Sequence, residues 1–202
     1  METTDTYLSV KDESRGTFRD KASRFIAIAT PVSSEPEAKE KLESIRKSYY
    51  DANHHCYAYR LGPAGDVYRI NDDGEPSGTA GRPIHGQIQS HGFSDVLVVV
   101  TRYFGGTKLG VPGLINAYRT AAEEALSKAV PVSKVLTDTM EVTFDYPKMN
   151  AVMKILKEPG ITILKQDLEQ SCKVRFSVRR SKSDEVKQRL SKVINISISI
   201  NV

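Results

Sequence analysis

Hydrophobic and polar residues alternate most regularly in the last third of the chain. A hydrophobic side chain at every second position is typical of a strand with one buried face, and a spacing of three to four residues is typical of a helix. The pattern predicts strands at 139–145, 161–164, 173–178 and 196–200 and helices at 147–156 and 181–193. In the last strand, Ile196, Ile198 and Ile200 are predicted to face inward. The resulting order is βαββαβ, which is the ferredoxin-like arrangement.

The first two-thirds of the chain mix the same two periods less regularly. Residues 1–22 are polar and without periodicity, so we expect a frayed or edge-strand lead-in. Ser34 followed by Glu37 is the pattern of a helix-starting capping box. Further elements are predicted as a strand at 25–32, a hairpin of 56–61 with 67–70, a strand at 96–101 that is apolar on both faces, and a helix at 114–126. The fold class is therefore α+β, with an N-terminal domain at 1–136 and a ferredoxin-like domain at 137–202.

Composition and cysteine content indicate the class of protein and its cellular location. Hydrophobic residues make up 39% and charged residues 27%, which fits a globular chain. The longest apolar run, 96–100, is too short to cross a membrane, so no membrane partner is expected. Cys56 and Cys172 are far apart in the sequence and lie in no metal-binding motif. A reducing, cytoplasmic location is the simplest expectation.

The net charge of +4 is unevenly distributed. Residues 1–136 carry 17 Lys and Arg against 17 Asp and Glu, whereas residues 137–202 carry 12 against 8. On the strand at 173–178, Lys173, Arg175 and Arg179 fall on the face opposite the hydrophobic positions. They are candidates for nucleic-acid phosphate contacts, and the alternative is a salt-bridged face in which Glu141 and Asp145 pair with them.

Glycine and histidine are concentrated in one region. Of the 13 glycines, 11 lie between Gly62 and Gly113, and all four histidines lie in or beside that stretch. A single turn needs one glycine, so this density predicts long loops with unusual backbone angles. Such loops are common sites of ligand binding.

The first Gly-rich segment, 71–83, contains Asp72, Asp73 and Glu75. Three carboxylates have the oxygen ligands that Mg²⁺ or Ca²⁺ prefers, but their spacing does not match an EF-hand. Aspartates also accept hydrogen bonds from nearby backbone amides in turns, and we favour that interpretation. No metal or other cofactor is therefore expected.

The second Gly-rich segment, 101–113, joins a buried strand to a helix. Its amides, with Arg102 and Lys108, suit an anion, and Tyr103 and Phe104 could supply a stacking surface. Equally, Arg102 could pair with the acidic segment while both aromatic residues enter the core. The glycine spacing matches neither a Walker A loop nor a dinucleotide-binding fingerprint.

Neighbouring His54 and His55 precede a predicted strand, where adjacent side chains point to opposite faces. They are therefore not expected to ligate one ion together, although either could reach the acidic segment. We expect the two Gly-rich segments to lie side by side in one site. The candidate loop site comprises His54, His55, Asp72, Asp73, Glu75, Thr79, Arg102 and Lys108. No catalytic residue can be assigned to it.

Two long motifs carry a family resemblance. DDGEPSGTAGRP, at 72–83, and VVVTRYFGGTKLGVPGLINAY, at 98–118, together with His54-His55-Cys56, resemble the IMPACT/YigZ family. The resemblance implies an N-terminal domain of the ribosomal-protein-S5-domain-2-like fold and, as in bacterial members, a C-terminal domain similar to domain V of elongation factor G. It also implies a link to translation, which the eukaryotic relatives regulate, but no established catalytic residues.

Three functions follow from these observations. The leading hypothesis is an RNA- or ribosome-associated, translation-linked regulatory protein without established catalysis. A second is a hydrolase-type enzyme that acts on a small phosphorylated or peptide substrate at the Gly-rich loops. The third is an adaptor that binds other proteins.

Overall fold

The computed structural model describes residues 5–168, 171–193 and 197–201, and the chain divides into two compact units. The N-terminal unit is Tyr7–Lys134. The C-terminal unit begins at Val135 and includes Asp5 and Thr6 from the start of the chain. The predicted boundary at 136/137 lies two residues beyond this division, and the independent folding of each part stays a prediction.

The N-terminal elements include three helices that flank an antiparallel sheet. The strands are β1 (Thr6–Val10), β2 (Ser14–Asp20), β3 (Ser23–Pro31), β4 (His54–Leu61), β5 (Val67–Asn71), β6 (Val96–Tyr103) and β7 (Pro131–Val135). The helices are α1 (Glu35–Ser48), α2 (Gly81–Ser90) and α3 (Gly110–Ser127). The main sheet has the order β2-β3-β6-β4-β5, and β1 pairs with β7 in a separate two-stranded sheet.

Strand β6 lies at the centre of the main sheet, as its unbroken apolar run predicts. Val96, Val98 and Val100 pack in a core with α2 and α3, while Leu97 and Val99 pack in a second core with α1 on the other face. All five side chains are fully buried. The predicted hairpin is also confirmed, because β4 and β5 pair as antiparallel neighbours.

Helix α1 starts at the predicted capping sequence, with one difference. The Ser34 hydroxyl accepts the Glu37 backbone N–H at 3.4 Å, as a capping box requires. The Glu37 carboxylate instead accepts the N–H and hydroxyl of Ser33, both at 2.7 Å. The contact is therefore shifted by one residue from the reciprocal bond of a standard capping box.

Three sequence expectations in this unit were wrong or incomplete. Helix α2 begins at Gly81, inside the segment expected to be a loop, because two glycines and a proline hide its helical pattern. Helix α3 begins at Gly110, so the second connecting loop covers only 104–109. The lead-in was expected to be frayed or an edge strand; the edge strand is confirmed as β2 beside β3, and the additional strand β1 was not expected.

The C-terminal unit has the predicted βαββαβ order. Its elements are β8 (Thr137–Asp145), α4 (Met149–Leu156), β9 (Ile161–Asp167), β10 (Ser171–Arg179), α5 (Ser183–Ser191) and β11 (Ser197–Asn201). The sheet order is β11-β8-β10-β9, with every paired strand antiparallel.

The alternating pattern of the C-terminal strands defines one core. The predicted inward residues of β8 and β10 are buried and share this core with Val152 and Leu156 of α4 and with Val186 and Leu190 of α5. The predicted inward face of the last strand, Ile196, Ile198 and Ile200, lies outside the residues whose side chains are described. The described chain is therefore a mixed α/β protein, and no helix in that part is long and apolar enough to span a membrane.

Candidate functional site

The two Gly-rich segments come into contact at one end of the main sheet of the N-terminal unit. His54, the first residue of β4, lies opposite Arg102 near the end of β6. The loop after β5 brings Glu75 to Arg102, with Glu75 Oε1 and Arg102 Nη1 2.5 Å apart. The structure thus joins the segments through an ion pair, and not through Asp72 or Asp73.

The Glu75–Arg102 pair is almost entirely removed from solvent. The Glu75 side chain is 4% exposed and that of Arg102 is 7% exposed. Glu75 Oε1 also accepts the Tyr118 hydroxyl at 2.8 Å, and His54 Nε2 lies 3.9 Å away. A buried charge is costly unless it is paired and hydrogen-bonded, and these contacts meet that need.

Aromatic rings lie on the Arg102 guanidinium as well. Its central carbon lies 5.5 Å from the ring centre of Phe25 and 5.4 Å from that of Phe104. The Nε of Arg102 is buried and makes no hydrogen bond within the described part of the chain. Arg102 therefore pairs with the acidic segment, whereas the companion expectation that both aromatic residues are core is wrong for Phe104, which is 46% exposed.

Cys56 and Tyr118 lie against this ion pair inside the core. The Cys56 thiol is 3.3 Å from the Tyr118 hydroxyl and 3.0 Å from the Asp72 carbonyl oxygen. Burial raises the pKa of the Cys56 thiol far above its usual value, and the nearby carboxylates raise it further. Burial also raises the pKa of Tyr118, helped by Cys56 and Glu75. The thiol is therefore neutral near pH 7 and unsuited to nucleophilic attack.

Asp72 organises the first loop by accepting backbone N–H groups. Its carboxylate accepts from Gly78 at 2.8 Å, from Ala80 at 3.0 Å and from Gly81 at 2.8 Å. The last two amides belong to the start of α2, so Asp72 caps that helix from the preceding loop. These bonds support the structural interpretation of the acidic segment.

Asp73 has a similar role. It adopts a φ of 43°, in the left-handed region, and its carboxylate accepts the His55 N–H at 2.6 Å. Arg46 of α1 approaches the same carboxylate at 3.3 Å. Within the described residues, no cluster of three or more His, Cys, Asp or Glu side chains is placed to hold a metal ion.

The two histidines diverge, as their adjacent positions predict. His54 Nδ1 lies 2.8 Å from the Asp73 carbonyl oxygen, and His55 Nε2 lies 2.9 Å from the Tyr49 carbonyl oxygen at the end of α1. A carbonyl oxygen only accepts, so Nδ1 of His54 and Nε2 of His55 each carry a hydrogen. Of the two, only His54 faces the Glu75–Arg102 pair.

Thr79 and Lys108 stay apart from the buried cluster. The Thr79 side chain is buried and donates to the Pro76 carbonyl oxygen at 2.7 Å. Lys108 is exposed in the loop before α3 and makes no hydrogen bond or ion pair with a described residue. Of the eight candidate residues, His54, Glu75 and Arg102 therefore form one cluster.

Several residues of this region were missed by the sequence argument. Asn53 was missed, and its Oδ1 accepts the Phe104 N–H at 2.7 Å; Ser23 was missed, and its hydroxyl accepts the Gly105 N–H at 3.2 Å. Tyr118 was missed too, although a large polar ring on the otherwise alanine-rich stripe of α3 was a usable signal.

A groove on the N-terminal unit does not coincide with the candidate site. It has a volume of about 620 Å³ and lies between α1 and strands β4 and β5, with Tyr57, Tyr59 and Arg69 among its lining residues. None of the eight candidate residues lines it.

The candidate nucleic-acid residues lie on the solvent-facing side of the C-terminal sheet. Lys173, Arg175 and Arg179 are exposed, while the residues between them on β10 are buried or half-buried. Glu141 of β8 pairs with Arg175 in the strand register. Within the described residues, however, none of the three cations has an ion-pair partner within 4 Å, and Asp145 lies opposite Ser171.

The two units therefore offer different chemistry. The N-terminal cluster is a closed network in which each charged group already has an internal partner. The C-terminal strand presents unpaired cations to solvent, which suits a flexible or extended anion. Nothing in the described geometry positions a nucleophile, a base and an oxyanion donor around one reacting atom.

Comparison with known proteins places these features in a family. The Impact N-terminal domain profile matches residues 21–126. The chain is 39% identical over 153 residues to IMPACT family member YvyE of Bacillus subtilis, covering 76% of this chain and 70% of that protein. It is 31% identical over 173 residues to IMPACT family member YigZ of Escherichia coli, covering 85% of each.

More distant relatives extend the comparison. The Protein IMPACT homolog of Schizosaccharomyces pombe is 36% identical over 124 residues, which are 59% of this chain and 44% of that protein. A solved structure described as a hypothetical protein covers 98% of both chains with a TM-score of 0.76 and 27% identity. The resemblance of the two Gly-rich motifs is thereby confirmed, and the chain belongs to the IMPACT family.

Proposed function

We propose that this chain is an RNA- or ribosome-associated regulatory protein linked to translation. Family membership supports the link to translation, because the resemblance implies that role for eukaryotic relatives. The observation that carries RNA binding is the unpaired basic face of β10, with Lys173, Arg175 and Arg179. A cytoplasmic location fits Cys56 and Cys172, which are both buried and outside any disulfide.

The finer fold assignments belong to the same proposal. The C-terminal unit has two helices on one face of an antiparallel sheet ordered β11-β8-β10-β9, which supports a ferredoxin-like domain. The N-terminal unit supports a ribosomal-protein-S5-domain-2-like assignment only through the family resemblance. Fold analogy alone does not establish function, so the basic face carries the argument.

The strand geometry explains why this face suits a phosphate backbone. Side chains on one face of a strand repeat at about 6.6 Å, so Lys173 and Arg175 form a short row of cations. Both helices pack on the opposite face, which leaves this row open. The described side chains beside the row include no aromatic ring, so binding there should depend on phosphates and little on sequence.

Fluorescence anisotropy with a labelled single-stranded RNA at several salt concentrations tests the proposal. We expect a linear fall of log K with log salt for the full chain, with a slope of about −0.7 for each phosphate contact. Replacing Lys173, Arg175 and Arg179 by Ala should weaken binding for all RNA sequences alike and flatten the slope.

A matched control variant separates loss of the β10 site from the general effect of losing three positive charges. Lys154, Lys187 and Lys192 are also exposed, but they lie in or beside the helical layer. Their triple Ala variant loses the same charge and should bind RNA nearly as the wild type does. Equal losses in both triple variants, or no wild-type binding at low salt, would contradict a site on β10.

The alternatives have less support. Hydrolysis at the Gly-rich loops would need charged side chains that can contact a substrate. Arg102 is instead paired with Glu75, and Asp72 already accepts three backbone N–H groups. No described surface favours a protein-binding adaptor over RNA binding.

We further propose that 137–202 folds alone. Proton NMR of the fragment tests this, and an unfolded spectrum would place part of its stability in the contacts of Asp5 with Leu136 and Ser181.

A further inference from the structure

Phe104 presents an aromatic ring to solvent beside the buried ion pair. The ring is 46% exposed. The Arg102 guanidinium lies over the ring, 5.4 Å from its centre, and is in turn packed on Phe25. Because the charges of Glu75 and Arg102 cancel, the ring is supported from inside by a fixed ion pair that carries no net charge.

The backbone on both sides of the ring is held in place. The Phe104 N–H donates to Asn53, and the Gly105 N–H donates to Ser23. A Cβ at Gly105 would lie 2.1 Å from the carbonyl carbon of Ala22, so the loop passes directly against that turn. A ring that is already ordered loses little conformational entropy when it binds.

The segments next to this ring carry more exposed or half-exposed cations than carboxylates. Lys21 precedes Ala22, the residue that the loop touches, and Lys108 follows Phe104 by four residues; both are exposed. The Arg24 guanidinium lies 4.7 Å from the ring centre of Tyr103. Arg19 pairs with Arg24 across β2 and β3, and the neighbouring carboxylates are those of Asp20 and Asp51, the latter accepting the Tyr103 hydroxyl.

We propose that Phe104 with Lys21, Arg24 and Lys108, the Phe104 surface, binds single-stranded RNA by stacking one unpaired base on the ring. The proposal rests on the proposed RNA association and adds a second contact of a different kind. Every base has an aromatic face, so stacking tolerates any sequence, while the cations contact the adjacent phosphates. The Phe104 surface thereby supplies the ring that β10 lacks.

The test compares two strands of equal charge on the full chain. Anisotropy would be measured with a labelled 12-nucleotide oligouridine and with an abasic strand of the same length. Phe104→Ala should lower affinity for oligouridine about fivefold to a hundredfold, the loss typical of one stacked base. Affinity for the abasic strand and the salt slope should not change, because no phosphate contact is removed.

Three variants serve as controls. Tyr50→Ala removes another exposed aromatic ring, 84% exposed, and should leave both affinities unchanged. Phe104→Tyr retains the stacking face and should bind oligouridine as the wild type does. Lys108→Ala should weaken both strands alike and reduce the slope by about 0.7. Thermal melting of each variant shows that the fold is intact.

The outcomes separate this inference from the C-terminal site. If Phe104→Ala binds oligouridine like the wild type, or loses both strands equally, the stacking role is overturned and the ring is free for a protein partner. If the β10 triple variant binds RNA normally while Phe104→Ala loses affinity for oligouridine only, RNA binding by β10 is contradicted and RNA binding by the Phe104 surface is supported.

Discussion

The charged residues of the two units differ in burial and in pairing. In the N-terminal unit, Glu75 and Arg102 are buried and paired, and Asp95 is buried with Lys134 against it at 2.7 Å. On β10, Lys173 and Arg175 are exposed and have no ion-pair partner within the described residues. Buried charges need partners to be tolerated, whereas exposed charges are stabilised by water and stay available to a ligand. The charged groups of the Gly-rich motifs thus contact one another inside the fold, whereas the cations of β10 are exposed to solvent.

The largest expected effect comes from breaking the buried ion pair. Arg102→Met leaves Glu75 buried without its main partner, which should cost about 3–5 kcal/mol of unfolding free energy. Urea denaturation followed by circular dichroism measures the loss. The double variant Glu75→Gln with Arg102→Met removes both charges and should recover much of it. A loss below about 1 kcal/mol would show that the pair is dispensable and that Arg102 is free for another role.

A smaller loss is expected when the acidic loop is left uncapped. Asp72→Ala removes the acceptor of three backbone N–H groups and should cost about 2–3 kcal/mol, since each unsatisfied amide is partly buried. Asp72→Asn keeps one acceptor oxygen, so its unfolding free energy should lie between those of the wild type and Asp72→Ala. Thermal melting with and without Mg²⁺ provides a check, because stabilisation of the wild type by Mg²⁺ would restore the metal-binding interpretation.

The third prediction uses pH to examine the second buried pair. Burial alone would raise the pKa of Asp95, but hydrogen bonds from Lys134, Tyr7 and Gly62 outweigh it and hold the pKa below its usual value. A lowered folded-state pKa contributes stability above the unfolded value near 3.9, and this stability is lost as pH falls through the folded value.

Asp95→Asn therefore should cost about 1–3 kcal/mol at pH 7, and its deficit should shrink as pH falls below about 4. Urea denaturation of both proteins between pH 2.5 and 7 gives the difference, in which the other carboxyl groups cancel. A deficit that stays constant over this range would mean that Asp95 keeps its ordinary pKa in the folded protein.

The smallest effect is expected on β10. Replacing Lys173, Arg175 and Arg179 by Ala should change the unfolding free energy by less than about 0.5 kcal/mol for each residue, because these side chains are exposed and unpaired. The same denaturation assay applies. A large loss would show that these cations stabilise the sheet, which would make this face resemble the N-terminal cluster and weaken its role in RNA binding.

Local patterns in the sequence determined most of the elements and the faces that they bury. The alternation on β10 placed Val174 and Phe176 inward and Lys173 and Arg175 outward, because the two-residue period of a strand is a property of the backbone. The unbroken apolar run of β6 likewise placed it between two layers. The two long motifs identified the family.

The tertiary structure alone decided what the charged loop residues do. The sequence left Arg102 either paired with the acidic segment or open to an anion. Glu75 and Arg102 are 27 positions apart and meet only when β5 and β6 both pair with β4. Helix α2 was missed because its glycines and proline hide the helical pattern and because the residue that caps its start, Asp72, lies nine positions before Gly81. The exposure of Phe104, whose ring lies against the Arg102 guanidinium, was likewise decided by the tertiary structure. Periodicity is local and readable from the sequence, whereas the pairing of buried charges depends on long-range contacts that the chain forms only on folding.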